Sequence, residues 1–184
     1  MLSEEFRKIL LKTASDSIQH GLAHGEPIPV HAKTAPPELR VERATFVTLD
    51  FRGHLRGCIG TLEAERSLIE DVAANAFQAA FSDPRFPPLR PAEFKDLEIH
   101  ISVLSPPEPM QFESEEDFLN QLRPGVDGIV LRDGWRRGTF LPAVWEDLPE
   151  KKDFVQHLKM KAGLPPNYWS PTITASRYTA EYFP

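Results

Sequence analysis

The alternation of apolar and polar positions predicts about four helices and six or seven strands in mixed order. Over residues 3 to 20 the apolar positions Phe6, Ile9, Leu10 and Ile18, with Thr13 and Ser17 on the same stripe, predict a first helix ending at Gly21. Residues 25–39, GEPIPVHAKTAPPEL, carry four prolines and no period, and read as a loop. ATFVTLD (44–50) and LRGCIG (55–60), separated by a short RGH break, read as a β-hairpin. From Glu65 to Phe81 a stripe of Leu68, Ile69, Val72, Ala73, Ala76, Phe77 and Ala80 predicts a helix, with Asp71, Asn75 and Gln78 on its opposite, polar side. Its alanines suit close packing on a sheet, and Pro84 stops it near Asp83.

LEIHISVLS (97–105) alternates strictly, placing Ile99, Ile101 and Val103 on one face of a strand and His100, Ser102 and Leu104 on the other. Ser114 and Asp117 open a short helix over 114–122 in the manner of a capping box. Asp133-Gly134 between two extended runs predicts a type I′ hairpin over 128–140. A helix over 148–163 buries Phe154, Val155, Leu158 and Ala162 and stops at Gly163, and TITASRYTAEYF reads as one final strand. These elements predict an α+β fold with a largely antiparallel sheet flanked by helices.

Composition narrows the functional classes. A chain of 184 residues, 41% apolar and with a net charge of -6, has the material for a sizeable core. Its balance lacks the basic tract on which phosphate-driven nucleic-acid binding depends. No apolar run reaches the ~18 residues of a membrane span, and the acidic amphipathic N-terminus is unlike a signal peptide. One cysteine, Cys58, excludes an intrachain disulfide and a cysteine-based zinc site, so a reducing, cytoplasmic setting is expected. His20 and His24 are spaced i, i+4, but Gly21 and Gly25 interrupt them, and no metal or cofactor is expected. Eighteen prolines, about twice the usual ~5%, punctuate the chain throughout.

Three clusters carry candidate chemistry. In LRGCIGT, Cys58 lies between Gly57 and Gly60 with Arg56 nearby; glycines inside a strand mark a bulge or a close approach. Regular alternation puts Arg56 and Cys58 outward together, ~7 Å apart, where an arginine favours the reactive thiolate. The same residues also fit a small buried cysteine with no chemistry. His54 lies ~13 Å along the strand from Cys58, too far for a hydrogen bond, whereas His100 or His157 can approach only through the fold. In SDPRFPPLRP (82–91), Asp83 and Arg85 flank Pro84, and Phe86-Pro87-Pro88 stiffens the loop, so it reads either as a helix stop or as a rigid mount presenting a guanidinium to an anion. Arg136 and Arg137 in RRGTFLP fit a solvated strand edge.

Taken in order, LRGCIGT, DPRFPPL, GTFLP and KAGLP resemble the AMMECR-one domain family, whose prokaryotic members are called AmmeMemoRadiSam system protein A, and the likeness spans nearly the whole chain. The resemblance implies one domain over 1–184 with two subdomains, the smaller one more helical, and a cleft between them gathering the motif residues. Matching motif by motif selects Arg56, Gly57, Cys58, Ile59 and Gly60, then Asp83, Pro84, Arg85 and Phe86, then Thr139, Phe140, Leu141 and Pro142. The chain departs from the family pattern at Ala143, where glutamine is common, and at Lys159 and Met160, where a cysteine is common. The expectation is a site centred on Cys58 as nucleophile. Arg56 supports the thiolate, and Arg85, oriented by Asp83, binds a small or peptidic acidic substrate with Gly57, Gly60 and Phe86 around it. The alternative is a non-catalytic adaptor for a Memo-like or radical SAM partner of the same pathway.

Overall fold

A computed structural model describes residues 1–184, and the chain divides into a larger unit, 1–104 with 181–184, and a smaller unit, 105–180. The larger unit opens with helix α1 (Glu4–His24), capped by Ser3, whose side chain accepts from the Phe6 N–H. The helix runs through Gly21 and stops at Gly25, which takes the left-handed conformation at φ 75°. Gly21 is not a stop because its role is packing: a Cβ there would lie 2.4 Å from the Phe81 ring.

Strands β1 (Thr45–Phe51) and β2 (His54–Gly60) form the expected hairpin. Its turn residues, Arg52 and Gly53, both have positive φ, the type I′ requirement. Helix α2 (Leu68–Phe81) starts at Ser67, and a short helix, α3 (Pro91–Phe94), precedes β3 (Leu97–Leu104). The sheet order is β2-β1-β3-β8, with β8 (Ala180–Phe183) supplied by the end of the chain. α1 and α2 cover one face, burying Leu10, Ile18, Val47, Leu49, Val72 and Ile101.

The polar side of α2 is solvated at Gln78 but not at Asp71 and Asn75. Asp71 and Asn75 are fully buried, and the Asp71 carboxylate accepts from the Thr45 N–H and hydroxyl, the Asn75 amide, the Thr61 hydroxyl and the Arg66 guanidinium. A buried carboxylate is tolerable only with such a set of donors, and this set pins the start of β1 to the helix.

The smaller unit carries its own sheet, β4 (Glu108–Pro109), β7 (Thr174–Tyr178), β5 (Gly128–Asp133) and β6 (Arg136–Phe140), in the order β4-β7-β5-β6. Helices α4 (Glu115–Gln121) and α5 (Lys151–Lys161) accompany it. The smaller unit is therefore not the more helical one: the two longest helices, α1 and α2, lie in the larger unit. The β5–β6 turn is centred on Gly134-Trp135, with Asp133 paired to Arg136, and only Gly134 has positive φ, so it is not type I′. The segment expected as one last strand is two, β7 and β8, in different sheets. No helix is long and apolar enough to cross a membrane.

Candidate functional site

β2 is an edge strand, so half of its peptide groups lack a neighbouring strand. At Cys58 the loop after α2 supplies the missing partners. Asp83 Oδ2 accepts from the Cys58 N–H at 2.9 Å, and the Cys58 carbonyl accepts from Arg85 Nη2 at 3.4 Å. Arg85 in turn grips Asp83 with Nε at 3.0 Å and Nη2 at 2.7 Å, and its own N–H donates to Oδ1 at 3.1 Å. The Arg85 guanidinium holds the Asp83 carboxyl far below the usual carboxylate range, burial opposes, and the Cys58 N–H assists. Asp83 is buried and Arg85 half-exposed, at 2% and 54% of side-chain area. The pair is thus a fixed guanidinium anchored on the cysteine's own peptide.

Cys58 is half-buried on the sheet face away from α2, with Sγ 3.2 Å from Thr48 Oγ1, its cross-strand partner. The pairing register explains where Arg56 goes. Leu49 opposes Gly57 and Asp50 opposes Leu55, which leaves Arg56 as the extra residue of a β-bulge. Regular alternation fails there, and the outward position expected for Arg56 beside Cys58 is not found. Its side chain is 10% exposed and grips Glu93 through Nε at 2.9 Å and Nη2 at 3.2 Å. That guanidinium lowers the Glu93 carboxyl to about 2, against the cost of burial. Arg56 Nη1 is buried and finds no acceptor in the protein. The Phe86 ring lies over both guanidinium groups, its centroid 5.9 Å from Arg56 Cζ and 5.4 Å from Arg85 Cζ.

Gly57 and Gly60 have packing reasons of their own. A Cβ at Gly57 would lie 2.1 Å from the Ala79 carbonyl oxygen of α2, and one at Gly60 2.4 Å from the Thr45 carbonyl oxygen. Ile59 packs against the same core, and Pro84 is exposed.

His100 is opposite Thr48 in β3, so Cys58, Thr48 and His100 form a row across three strands. Two strand spacings, ~10 Å, separate the cysteine from the histidine, which excludes a direct hydrogen bond. Both ring nitrogens of His100 are engaged: Nε2 lies 3.2 Å from Asp50 Oδ2, and Nδ1 2.7 Å from the Tyr182 hydroxyl. His54 starts β2 opposite Phe51, and His157 is in the smaller unit, with Nδ1 2.8 Å from the Asp153 carbonyl.

The third motif lies wholly in the smaller unit. The Thr139 hydroxyl donates to the Ile129 carbonyl at 2.9 Å, the Tyr178 hydroxyl donates to the Phe140 carbonyl at 3.0 Å, and burial pushes Tyr178 up to about 12. Leu141 and Pro142 lead into a 3-10 turn over Pro142–Glu146, which includes the exposed Ala143. Lys159 is fully buried, ion-paired with Glu115 and 5.4 Å from the Trp169 ring centroid. Met160 is exposed. No group of three His, Cys, Asp or Glu is placed to hold a metal ion. His20 and His24 share the uninterrupted α1, their rings stacked at 4.1 Å.

Glu93 and Thr48 escaped the reading of the motifs. Glu93 stands 37 positions from Arg56, and no local pattern links them.

Compared with known protein families, residues 11–183 match the one described as AMMECR1. A protein of Methanothermobacter thermautotrophicus is 38% identical over 184 residues, covering 99% of this chain and 95% of its own. One of Thermotoga maritima is 40% identical over 154 residues, covering 82% and 83%. Among solved structures, the crystal structure of the uncharacterized protein PH0010 from Pyrococcus horikoshii aligns with a TM-score of 0.90 at 32% identity, covering 98% of this chain and 92% of that one.

Proposed function

This chain belongs to the AMMECR1 family, and from that premise we propose that its larger unit binds a small or peptidic ligand bearing a carboxylate or phosphate, with Cys58 as the reacting thiol. The observation that carries this reading is the Asp83–Arg85 pair seated on the Cys58 peptide. Asp83 takes up Nε and Nη2 of Arg85 and leaves the rest of a half-exposed guanidinium for a ligand anion. The Thr48 hydroxyl, 3.2 Å from Sγ, can donate to the sulfur once the thiol proton has gone to solvent. A sulfur lone pair then forms the S–C bond to an electrophilic carbon of the ligand, and the leaving group departs with the bonding pair.

Because Cys58 is the only cysteine, its alkylation by iodoacetamide is read as one mass increment on the folded protein. Succinate or inorganic phosphate should slow labelling saturably, and Arg85→Ala should weaken that protection by about tenfold, the scale of one charge-assisted hydrogen bond. Failure of the folded protein to label, or labelling indifferent to both anions and to Arg85→Ala, overturns the reading.

A second reading is favoured by the loop itself: Pro84, Arg85, Pro87 and Pro88 are all exposed between buried Asp83 and Leu89, a stiff prominence suited to docking a partner protein. On that reading Cys58→Ser leaves partner capture intact while Arg85→Ala weakens it.

A further inference from the structure

The orphaned donor of Arg56 asks for an acceptor. A buried N–H without a partner costs free energy comparable to a lost hydrogen bond, and native structures keep few of them. Here the guanidinium is bidentate with Glu93 on one edge, while Nη1 on the other is shielded from solvent and unpaired. The Phe86 ring lies against this guanidinium and against Arg85, whose own Nη1 is likewise not engaged by Asp83. Phe86 is partly exposed and sits midway along a loop tied down at Asp83 and Leu89. The Phe86 N–H is itself tied to the Asp83 carbonyl at 3.1 Å, so a rotation of the side chain about its own bonds, with no movement of the loop, is what would uncover the guanidinium groups.

We infer that Phe86 is a displaceable plug over a two-arginine oxyanion site, in which Arg56 Nη1 and Arg85 together take a carboxylate or phosphate group of the ligand. The inference rests on the proposed anion-binding role of Arg85 and adds Arg56 as a second anchor. Glu93 acts as the positioning residue: it neutralises one arginine and fixes its plane, so the free edge is presented without the entropy of a mobile side chain. Asp83 and Glu93 stand against the guanidinium groups of Arg85, Arg56 and Arg90, and the N–H donors left over at Arg56 and Arg85 favour an anion over a neutral analogue because a charged acceptor makes the stronger hydrogen bond.

The test compares wild type with Phe86→Ala, binding inorganic phosphate and succinate by calorimetry, while the guanidinium N–H signals of Arg56 are followed by NMR of arginine-labelled protein. Removal of the plug should raise affinity for at least one of the two anions by about tenfold, in line with one added charge-assisted hydrogen bond, and the Arg56 signals should shift on titration. Phosphate without succinate, or the reverse, identifies the ligand group. Equal or weaker binding in Phe86→Ala, or Arg56 signals that stay still while Arg85 responds, overturns the two-arginine site and leaves the Arg85 reading standing. Loss of binding and of Cys58 protection in the wild type defeats both. Thermal melts of Phe86→Ala check its fold, and Phe86→Leu, which keeps an apolar cover, should retain the lower wild-type affinity.

Discussion

At Arg56 a single extra residue in a strand decides which partner a charge obtains. The bulge turns the guanidinium inward to Glu93, and breaking that buried pair leaves the carboxylate only the Arg90 N–H at 2.8 Å and the exposed Arg90 guanidinium at 3.6 Å. Arg56→Ala should therefore cost ~3–5 kcal/mol in urea unfolding at pH 7. The pH sign follows from Glu93, lowered to about 2 in the fold against roughly 4.3 unfolded. A depressed carboxyl stabilises the fold above its unfolded value, and that contribution is lost as pH falls from about 5 through 2. Asp83, also lowered, adds in the same direction. In Glu93→Gln the Glu93 part of this acid sensitivity should be absent, so the stability difference from wild type should narrow between pH 7 and pH 3. Much of the site was legible at this scale, since Cys58, Asp83 and Arg85 stand in two short motifs. The arginine beside the thiol was misassigned because regular alternation cannot register a bulge.

Among the elements, local pattern served best where a segment meets one apolar surface. β3 alternates and α1, α2 and α5 carry apolar stripes, and each appears as a helix or strand near its expected bounds. It failed where polar groups are buried together: Asp71 and Asn75 look solvated in a helical pattern, because the pattern records polarity and not the donors that Thr45, Thr61 and Arg66 bring from other segments. Turn chemistry was misplaced by the same limit. Asp133-Gly134 carries the residue signature of a type I′ turn, yet Arg52-Gly53 is the pair with that backbone, Arg52 at φ 52°. Arginine tolerates the left-handed region poorly and asparagine well, and the Arg52–Asp96 ion pair is too exposed to contribute much. Arg52→Asn should accordingly raise stability by ~0.5–1 kcal/mol, read as an increase in the thermal midpoint.

Across the whole molecule, the larger unit is discontinuous in sequence: the chain leaves it after Leu104 and returns at Glu181. The returning residues bear specific bonds. Glu181 accepts from the Leu2 N–H and pairs with Arg7 at 2.8 Å, and Tyr182 holds His100. Ending the chain after residue 179 should remove β8 and weaken the larger unit by several kcal/mol, with hydrogen exchange rising in β3 and α1 while the β5–β7 ladder keeps its protection. The same interruption orders events during synthesis. β8 leaves the ribosome only after the entire 105–180 segment, so at ~5–20 residues per second the larger sheet waits several seconds with β3 as a bare edge. The smaller unit is the first to have all of its strands available, and until β8 emerges the growing chain must keep the unpaired backbone edge of β3 from other strands.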